Sequence, residues 1–194
     1  CETPFAFLDG VLVRSISAIL EVERPGGSPQ PLRSNEALSF EGSKLTGAGF
    51  VLEPDEAETI LALDAASVDV LYPYLVADDL NGRPDQSASR LVIDFGTMTE
   101  ASARRFTGAF QRVEKSVKPQ RMKSKLKSDR ERWWQYGETR PGLIAGLAGL
   151  ERAVAIAVVS KYLSVSMCPT GQVFSNRLIV VPDPRYARFG VLAS

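Results

Sequence analysis

The sequence predicts an α+β fold in which helices pack on a mixed β-sheet. Two apolar runs, RLVIDF at residues 90–95 and AVAIAVVS at residues 153–160, are typical of buried strands because they are rich in Val and Ile. Between residues 99 and 118, apolar side chains recur at intervals of three and four, which predicts an amphipathic helix. The chain of 194 residues is 44% hydrophobic and 24% charged, so it can form one good core or two small ones.

Six segments have the composition of strands and are bounded by turn-forming residues. The first segment, GVLVRSISAILEVE, is partly alternating and is followed by the loop RPGGSPQP. The sequence GAG at residues 47–49 leads into a short strand; in a phosphate-binding loop the strand would come before the glycines, so we interpret it as a turn. The predicted strands lie near residues 11–22, 47–52, 90–95, 152–159, 161–167 and 177–181.

Two longer helices are predicted, at residues 54–65 and 99–118. The first begins with Pro54, which is favoured in a first helical turn. The second has Thr99 as its N-cap and Pro119 as its stop. Both helices are expected to pack on the sheet through one apolar face.

Two shorter helices are also expected. Met122 and Leu126 are four residues apart, which predicts a short surface helix over residues 120–130 with its lysines facing outward. A last helix is expected from near Tyr186.

Three acidic residues are candidates for chemistry. Residues 68–80 contain Pro73 and are interpreted as an extended or turning segment, in which Asp78 and Asp79 favour a turn or cap role over a metal site. Asp94 is the one acid within a predicted buried strand. It is either a candidate for chemistry or the buried partner of an arginine.

The net charge of zero conceals a division along the chain. Residues 1–97 contain 6 basic and 16 acidic side chains, whereas residues 98–194 contain 17 basic and 7 acidic side chains. This asymmetry favours a C-terminal half that faces a polyanion. In the alternative, the two halves mix in space and their charges cancel.

The densest positive charge lies in residues 115–142, KSVKPQRMKSKLKSDRERWWQYGETRPG. Closely spaced cations neutralise phosphates, and aromatic rings such as Trp133 and Trp134 can stack on bases, so this pattern is typical of a nucleic-acid-binding surface. The alternative is a solvated charged face whose two tryptophans turn into the core.

The chain lacks the residues and motifs that several kinds of catalytic and binding site require. The chain contains no His, which excludes His-dependent catalysis and His-ligated zinc, and it has no Asp/Glu-x-Lys nuclease pattern, no GxxxxGK[ST] and no GxGxxG. We therefore assign no catalytic residue and no metal ligand.

No apolar run is long enough to span a membrane, and two cysteines without a signal peptide favour a reducing interior. The chain starts at Cys1 without Met, so we expect a piece of a longer protein.

Four motifs occur in order: PYLVADDLNGRPDQSASRLVIDFG followed by a helix, then WWQYGETRPGL, SKYLSVSM and FGVLAS. Together they resemble the region that follows the methyltransferase core in fused type II restriction-modification proteins and related S-adenosylmethionine-dependent DNA adenine-N6 methyltransferases. The resemblance runs from about Ala6 to Ser194, which is essentially the whole chain.

The resemblance implies that residues 33–194 form a DNA target recognition domain and that residues 1–32 hold a trailing strand of the methyltransferase core. The family's catalytic Asn-Pro-Pro-aromatic motif and its Gly-rich cofactor loop do not occur here. Methyl transfer is therefore expected outside this fragment, which needs no cofactor itself, and S-adenosylmethionine is expected for the parent protein. The implied partners are double-stranded DNA and the methyltransferase core of the same parent chain, in the bacterial cytoplasm.

The same hypothesis divides the DNA-contacting residues into two groups. One group would clamp phosphates and set the register of the protein on the duplex. The other would read base edges in the major groove, where Arg suits guanine and Glu suits the cytosine amino group. The clamp consists of Arg104, Arg112, Lys115, Arg121, Lys123, Lys125, Lys127 and Arg132, and the reading residues are Glu138, Arg140, Lys161, Tyr162, Ser164 and Ser166.

Trp133 and Trp134 would pack on the sugar-phosphate wall or lie in the core. Two other classes of function compete with DNA recognition. One is a non-catalytic protein-protein interaction module with a charge-split surface, and the other is an intact metal-dependent enzyme using Asp94 and Asp78.

Overall fold

The computed structural model describes residues 5–14, 16, 37–161 and 163–194. The chain divides into two compact units, Cys1–Glu36 and Ala37–Ser194. Within the described residues, no helix is both long enough and apolar enough to cross a bilayer.

The first unit contains an antiparallel hairpin of β1 (Ala6–Leu8) and β2 (Val11–Val13). Its turn residues, Asp9 and Gly10, both have positive φ, at 49° and 80°. The strand predicted over residues 11–22 begins as β2. Most of its continuation lies outside the described residues. The assignment of residues 1–32 to a methyltransferase core stays a prediction.

The described part of the second unit contains eight strands and eight helices. The strands are β3 (Phe40–Glu41), β4 (Val51–Leu52), β5 (Leu71–Leu75), β6 (Arg90–Ile93), β7 (Arg152–Ala157), β8 (Val165–Pro169), β9 (Val173–Phe174) and β10 (Leu178–Val181). The helices are α1 (Pro54–Leu63), α2 (Ala77–Gly82), α3 (Glu100–Ala103), α4 (Thr107–Ser116), α5 (Lys118–Arg121), α6 (Lys127–Glu131), α7 (Pro141–Leu147) and α8 (Tyr186–Ala193), with 3₁₀ turns at Ala48–Phe50 and Ala65–Val70.

The predicted α+β class is confirmed, but the strands of the second unit form two sheets, and β1 with β2 forms a separate two-stranded one, where a single sheet was predicted. The first sheet has the order β3-β10-β7-β8 and is antiparallel throughout. The second sheet has the order β4-β6-β5-β9 and is mixed, because β5 and β9 are parallel. The segment after β3 joins the two sheets: Gly42 N–H donates to Leu178 O at 3.0 Å, and Ser43 N–H donates to Phe174 O at 2.8 Å.

Strand β5 was missed because Pro73 argues against a strand interior. It nevertheless pairs with β6 from Leu71 to Tyr74, and β9 pairs only with Tyr74 and Leu75, beyond the proline. The remainder of this segment is helix α2, and the predicted cap role suits Asp79, whose carboxylate accepts a hydrogen bond from Ser89 N–H at 3.2 Å.

Helix α1 confirms the first predicted helix, and Glu53 and Glu56 form a capping box at its start. The helix predicted over residues 99–118 is instead broken into α3 and α4. Thr99 caps α3 as predicted, accepting from Ser102 N–H at 3.2 Å. The start of α4 is held from elsewhere in the chain, because Gly108 N–H donates to the Asp64 carboxylate at 3.1 Å.

The surface helix predicted over residues 120–130 is wrong. Pro119 lies in the first turn of α5 rather than ending a helix, and a loop separates α5 from α6. Met122 and Leu126, whose spacing suggested a buried side, are both exposed. The last predicted helix is confirmed as α8.

The described residues form two apolar cores, and the core beneath the first sheet also takes Leu75 and Phe174 from the second sheet. The core of the second sheet contains Phe50, Val92 and Phe110, with Phe110 supplied by α4. The core of the first sheet contains Leu178 and Cys168, and burial raises the pKa of the Cys168 thiol to about 11. A thiol with this pKa stays protonated at neutral pH and behaves as a small apolar side chain.

We expect Gly42→Ala to destabilise the protein by about 1–3 kcal/mol, because overpacking forces backbone to move. A Cβ at this position would lie 2.2 Å from Ser175 O and 2.4 Å from Phe174 O, where the two sheets join. Urea denaturation followed by circular dichroism measures the effect. The matched control is Gly82→Ala, which meets no atom within 4 Å. Equal stability of the two variants would contradict this packing.

Candidate nucleic-acid interface

Arg121 belongs to residues 115–142, which we call the basic segment. Its side chain is buried, with only 3% of the residue exposed. Its guanidinium pairs with Asp129 at 2.8 Å and donates to the backbone oxygens of Leu45 at 2.8 Å and Gln135 at 3.0 Å. Burial lowers the pKa of Arg121, and the nearby Asp129 opposes that shift. The sequence placed Arg121 in the phosphate clamp, and the structure corrects this: its side chain is enclosed, and both terminal nitrogens bind groups of the protein itself.

The same ion pair holds the loop between α5 and α6. We call residues 122–126 the basic loop. Ser124 donates its hydroxyl to the second oxygen of Asp129 at 2.7 Å and accepts from Leu126 N–H at 3.2 Å. Arg130 donates to Ser124 O at 2.6 Å. The loop is therefore tied to the core although its lysines are exposed.

Four cations of the predicted clamp are exposed and have no ion pair within the part of the chain that the structure describes. Lys123 and Lys125 lie on the basic loop, Lys115 lies near the end of α4, and Arg132 follows α6. No ion pair among the described residues offsets these four positive charges, so they are available to neutralise phosphates.

The other three clamp candidates are already paired. Arg104 contacts Glu100 at 2.7 Å and Glu114 at 3.6 Å. Arg112 contacts Glu56 at 3.0 Å, and Lys127 contacts Glu131 at 3.4 Å. The contact between Arg112 and Glu56 joins the basic and acidic halves of the sequence. It supports in part the alternative in which the two halves mix in space and their charges cancel.

Trp133 and Trp134 lie in the core, which decides between the two alternatives that the sequence left open. Trp133 packs edge-to-face on Phe110 with ring centroids 5.2 Å apart, and Trp134 donates its indole N–H to Met98 O at 3.0 Å. Tyr136 is also buried, and its hydroxyl donates to Ile93 O at 2.9 Å. The aromatic residues behind the charge therefore support the surface from beneath and do not present their faces to a ligand.

A polar pocket of about 340 Å³ lies beside α6, between Arg132 and Arg140, with hydroxyls from Thr97, Ser128 and Thr139 on its walls. Its lining includes three of the predicted clamp or reading arginines, Arg121, Arg132 and Arg140, and the pocket was not visible from sequence spacing. Thr97 in particular comes from a distant turn that no motif singled out.

Two predicted reading residues, Glu138 and Arg140, line this pocket and bind each other at 2.7 Å. Arg140 has a left-handed backbone, with φ of 53°, immediately before Pro141. That conformation is unfavourable for a residue with a side chain and before a proline. It is held by an ion pair with Glu41 and by donation from Arg140 Nε to Gly42 O at 3.2 Å.

The other reading candidates that the structure describes, Lys161, Ser164 and Ser166, lie on the hairpin of β7 and β8. Lys161 is exposed in the connection, and Ser164 is half-buried. Ser166 is buried, pairs with Ala155 and has no hydrogen-bond partner for its hydroxyl within the described residues, so the structure corrects its assignment to base reading. Tyr162 lies outside the described residues.

Strand pairing places the partner of Arg140 and the first residue of β8 on one face of the first sheet. Glu41, the partner of Arg140, lies in register with Ile179, then Ile156, then Val165. Side chains of directly paired residues point to the same face, and three strand spacings amount to about 14 Å. Arg140 therefore lies beside one edge of this face, and the connection that carries Lys161 and Ser164 leads into the strand at the other edge.

Arg177 also belongs to this surface and was missed. It is exposed, and its carbonyl accepts a hydrogen bond from Val158 N–H at 2.9 Å beside the hairpin. The sequence signal was modest: a single cation immediately before the apolar run LIVV.

Asp94 lines a second pocket of about 470 Å³, whose walls include Tyr72, Leu147 and Phe174. Within the described residues it pairs with no arginine, so that alternative is wrong; its carboxylate accepts from Gly96 N–H at 2.7 Å. Burial raises the pKa of Asp94, and the hydrogen bond from Gly96 opposes the shift. The described residues contain no group of three or more potential metal ligands.

No protein-family model matches this chain, and a search of curated proteins finds no similar sequence. Among solved structures, the type IIL restriction-modification enzyme MmeI in complex with DNA matches with a TM-score of 0.69 and 15% sequence identity, over 95% of this chain and 24% of that chain. The fold is similar to that of part of MmeI. The likeness is one of fold, in agreement with the fold that the sequence resemblance implied, and the target recognition role stays a prediction. This chain spans about a quarter of the length of MmeI.

We expect Arg121→Met to lower the free energy of unfolding by about 3–5 kcal/mol, because Asp129 would be left as an uncompensated buried charge. Arg121→Met combined with Asp129→Leu is expected to cost less than the sum of the two single changes. Urea denaturation at neutral pH measures all three. The control is the exposed pair of Lys127 and Glu131, whose removal should change stability little.

Asp94→Asn is expected to raise the free energy of unfolding at neutral pH. Because the pKa of Asp94 is raised on folding, its ionisation opposes the folded state at every pH above that folded pKa. The advantage of Asn should shrink as the pH falls through the folded pKa and vanish below the ordinary value of 3.8. Urea midpoints measured across this pH range test the sign.

The control for this series is Asp85→Asn. Hydrogen bonds from the Ser87 hydroxyl and backbone hold the pKa of Asp85 below its ordinary value. Its charge therefore stabilises the folded state above the unfolded pKa and loses that effect as the pH falls through the folded pKa, so the sign is opposite. A parallel response of the two variants would contradict the burial of Asp94.

Proposed function

We propose that this chain is the DNA target recognition region of a site-specific DNA adenine-N6 methyltransferase or restriction-modification protein. The observation that carries the proposal is the set of four exposed cations without ion pairs among the described residues, Lys115, Lys123, Lys125 and Arg132, two of which lie on the firmly held basic loop. The likeness of the fold to an enzyme solved in complex with DNA supports it, as do the sequence motifs.

The four cations would contact phosphates and orient the duplex. The basic loop suits this role because its backbone is fixed by Ser124 and Asp129 while its lysines remain in water. Binding would then lose little side-chain freedom beyond that of the lysines themselves, and it would release counterions from the DNA. Arg104, Arg112 and Lys127 would contribute less, since an acidic partner already neutralises each.

Sequence would be read on the sheet face between Arg140 and the hairpin. Arg140 and Glu138 satisfy each other in the free protein, and ion pairs at a protein surface are weak. Exchange of that contact for guanine and for a cytosine amino group would give about 1–3 kcal/mol of discrimination for each good pair. Lys161 and Ser164 would contact the duplex from the opposite edge of the face.

Catalysis would belong to the remainder of the parent protein. In this scheme an S-adenosylmethionine-dependent core, in the bacterial cytoplasm, extrudes and methylates an adenine that the recognition region has positioned. The chain would supply binding and orientation, and none of its own residues would take part in methyl transfer.

Changing Lys123→Ala and Lys125→Ala together should weaken binding to all duplexes alike. The logarithm of the binding constant should also depend less steeply on the logarithm of salt concentration, by about one unit for each phosphate that the variant no longer neutralises. Fluorescence anisotropy with selected and random duplexes, across a salt series, measures both effects.

The matched control is Arg14→Ala with Arg83→Ala, which also removes two exposed positive charges but none from the basic loop. This control should keep the salt dependence of the wild-type chain. An unchanged slope for the lysine variant, or an equal change in the control, would count against a phosphate-binding loop.

A further inference from the structure

The end of the hairpin formed by β7 and β8 exposes three large aliphatic side chains. Val158 is 50% exposed, Val159 is 72% exposed and Leu163 is 76% exposed. All three lie within six consecutive positions at the end of the hairpin, two after β7 and one before β8. Exposed aliphatic side chains concentrated at one place are candidates for a contact site.

The hairpin end is firmly supported. β8 is an edge strand of the first sheet, while β7 pairs with both β8 and β10. Beyond the last paired residues, Val158 N–H still donates to Arg177 O at 2.9 Å. Helix α8 packs against β8 at the opposite end, where Arg152 pairs with Pro169 and contacts Tyr186. The aliphatic end is therefore the end that α8 leaves open.

The charge around this end favours a polyanion. From residue 153 to residue 182 the chain contains two cations, Lys161 and Arg177, and no acidic residue. Lys161 lies within the hairpin connection, and Arg177 lies beside Val158. An apolar end bordered by cations, with no acid in the whole segment, complements a surface that carries both negative charge and apolar groups.

The major groove of duplex DNA has this combination. Its walls are phosphates, and its floor carries one type of apolar group, the 5-methyl group of thymine. The groove is about 12 Å wide and admits a two-stranded β-ribbon, whose strands are about 4.8 Å apart.

We propose that the hairpin end enters the major groove and that Val158, Val159 and Leu163 contact thymine 5-methyl groups. The inference rests on the proposed function and adds the chemical group that the hairpin recognises. Lys161 and Arg177 face the flanking phosphates. The aliphatic residues then distinguish thymine from bases that lack a methyl group, a role that the polar reading residues do not supply.

The test replaces thymine by uracil, which removes the methyl group and preserves base pairing. Duplexes selected from a random pool by the wild-type chain are synthesised in both forms, and their dissociation constants are measured by fluorescence anisotropy at about 0.1 M salt. We expect uracil to weaken binding about fourfold for each methyl group contacted, the value for burying one such group.

The decisive variant is Val158→Ser, Val159→Ser and Leu163→Asn, which removes the aliphatic methyl groups and adds polarity. It should bind thymine and uracil duplexes equally. The control, Val68→Ser with Leu63→Asn, changes similarly exposed residues elsewhere and should keep the preference for thymine. Circular dichroism establishes that both variants are folded.

Each other outcome overturns the inference in a recognisable way. If the wild-type chain binds both duplex forms equally, the hairpin reads no methyl groups, while DNA binding itself stands. If the triple variant keeps the preference, the methyl groups are read elsewhere. If no duplex binds, the proposed function fails as well. If sedimentation shows that the wild-type chain self-associates and the triple variant does not, with DNA binding unchanged, the hairpin end is a protein contact.

Discussion

The buried ion pair between Arg121 and Asp129 is the contact on which the candidate interface depends. The guanidinium joins α5 to α6 through Asp129 and fixes two backbone segments through the oxygens of Leu45 and Gln135. The second oxygen of Asp129 holds Ser124, and with it the basic loop. Removing two charges from water is costly, so such a pair is sustained by its additional hydrogen bonds rather than by attraction alone. The result is a loop whose cations are exposed while its backbone is held in place.

The aromatic residues next to this pair have a structural role that their position beside cations concealed. Trp133 and Trp134 pack on each other, and Trp133 packs on Phe110, so the basic segment is anchored into the core of the second sheet. Lys118 lies over the Trp133 ring at 4.7 Å, which shows how a cation can cover an aromatic surface within one protein. The same stretch of chain thus supplies both exposed charged residues and buried aromatic residues.

The proposed interface consists of two parts with different chemistry. The basic loop offers charge and little sequence information, which suits phosphates. The solvent-facing surface of the first sheet offers Arg140 at one edge and an aliphatic hairpin end at the other, which suits base edges. Both parts rest on backbone that is hydrogen-bonded into the fold, so contact geometry is set before binding.

The sequence by itself determined the α+β class, α1, the cores of β6 and β7, and the existence of a basic surface, because periodicity and charge density are local properties. Only the tertiary structure decided that Arg121 faces inward while Lys123 faces outward, since burial depends on neighbours distant in sequence. It also decided the break before α4, where the carboxylate of Asp64 caps Gly108 from 44 residues away. No local pattern encodes such contacts, and strand pairing likewise placed Glu41, the partner of Arg140, on the same sheet face as Val165.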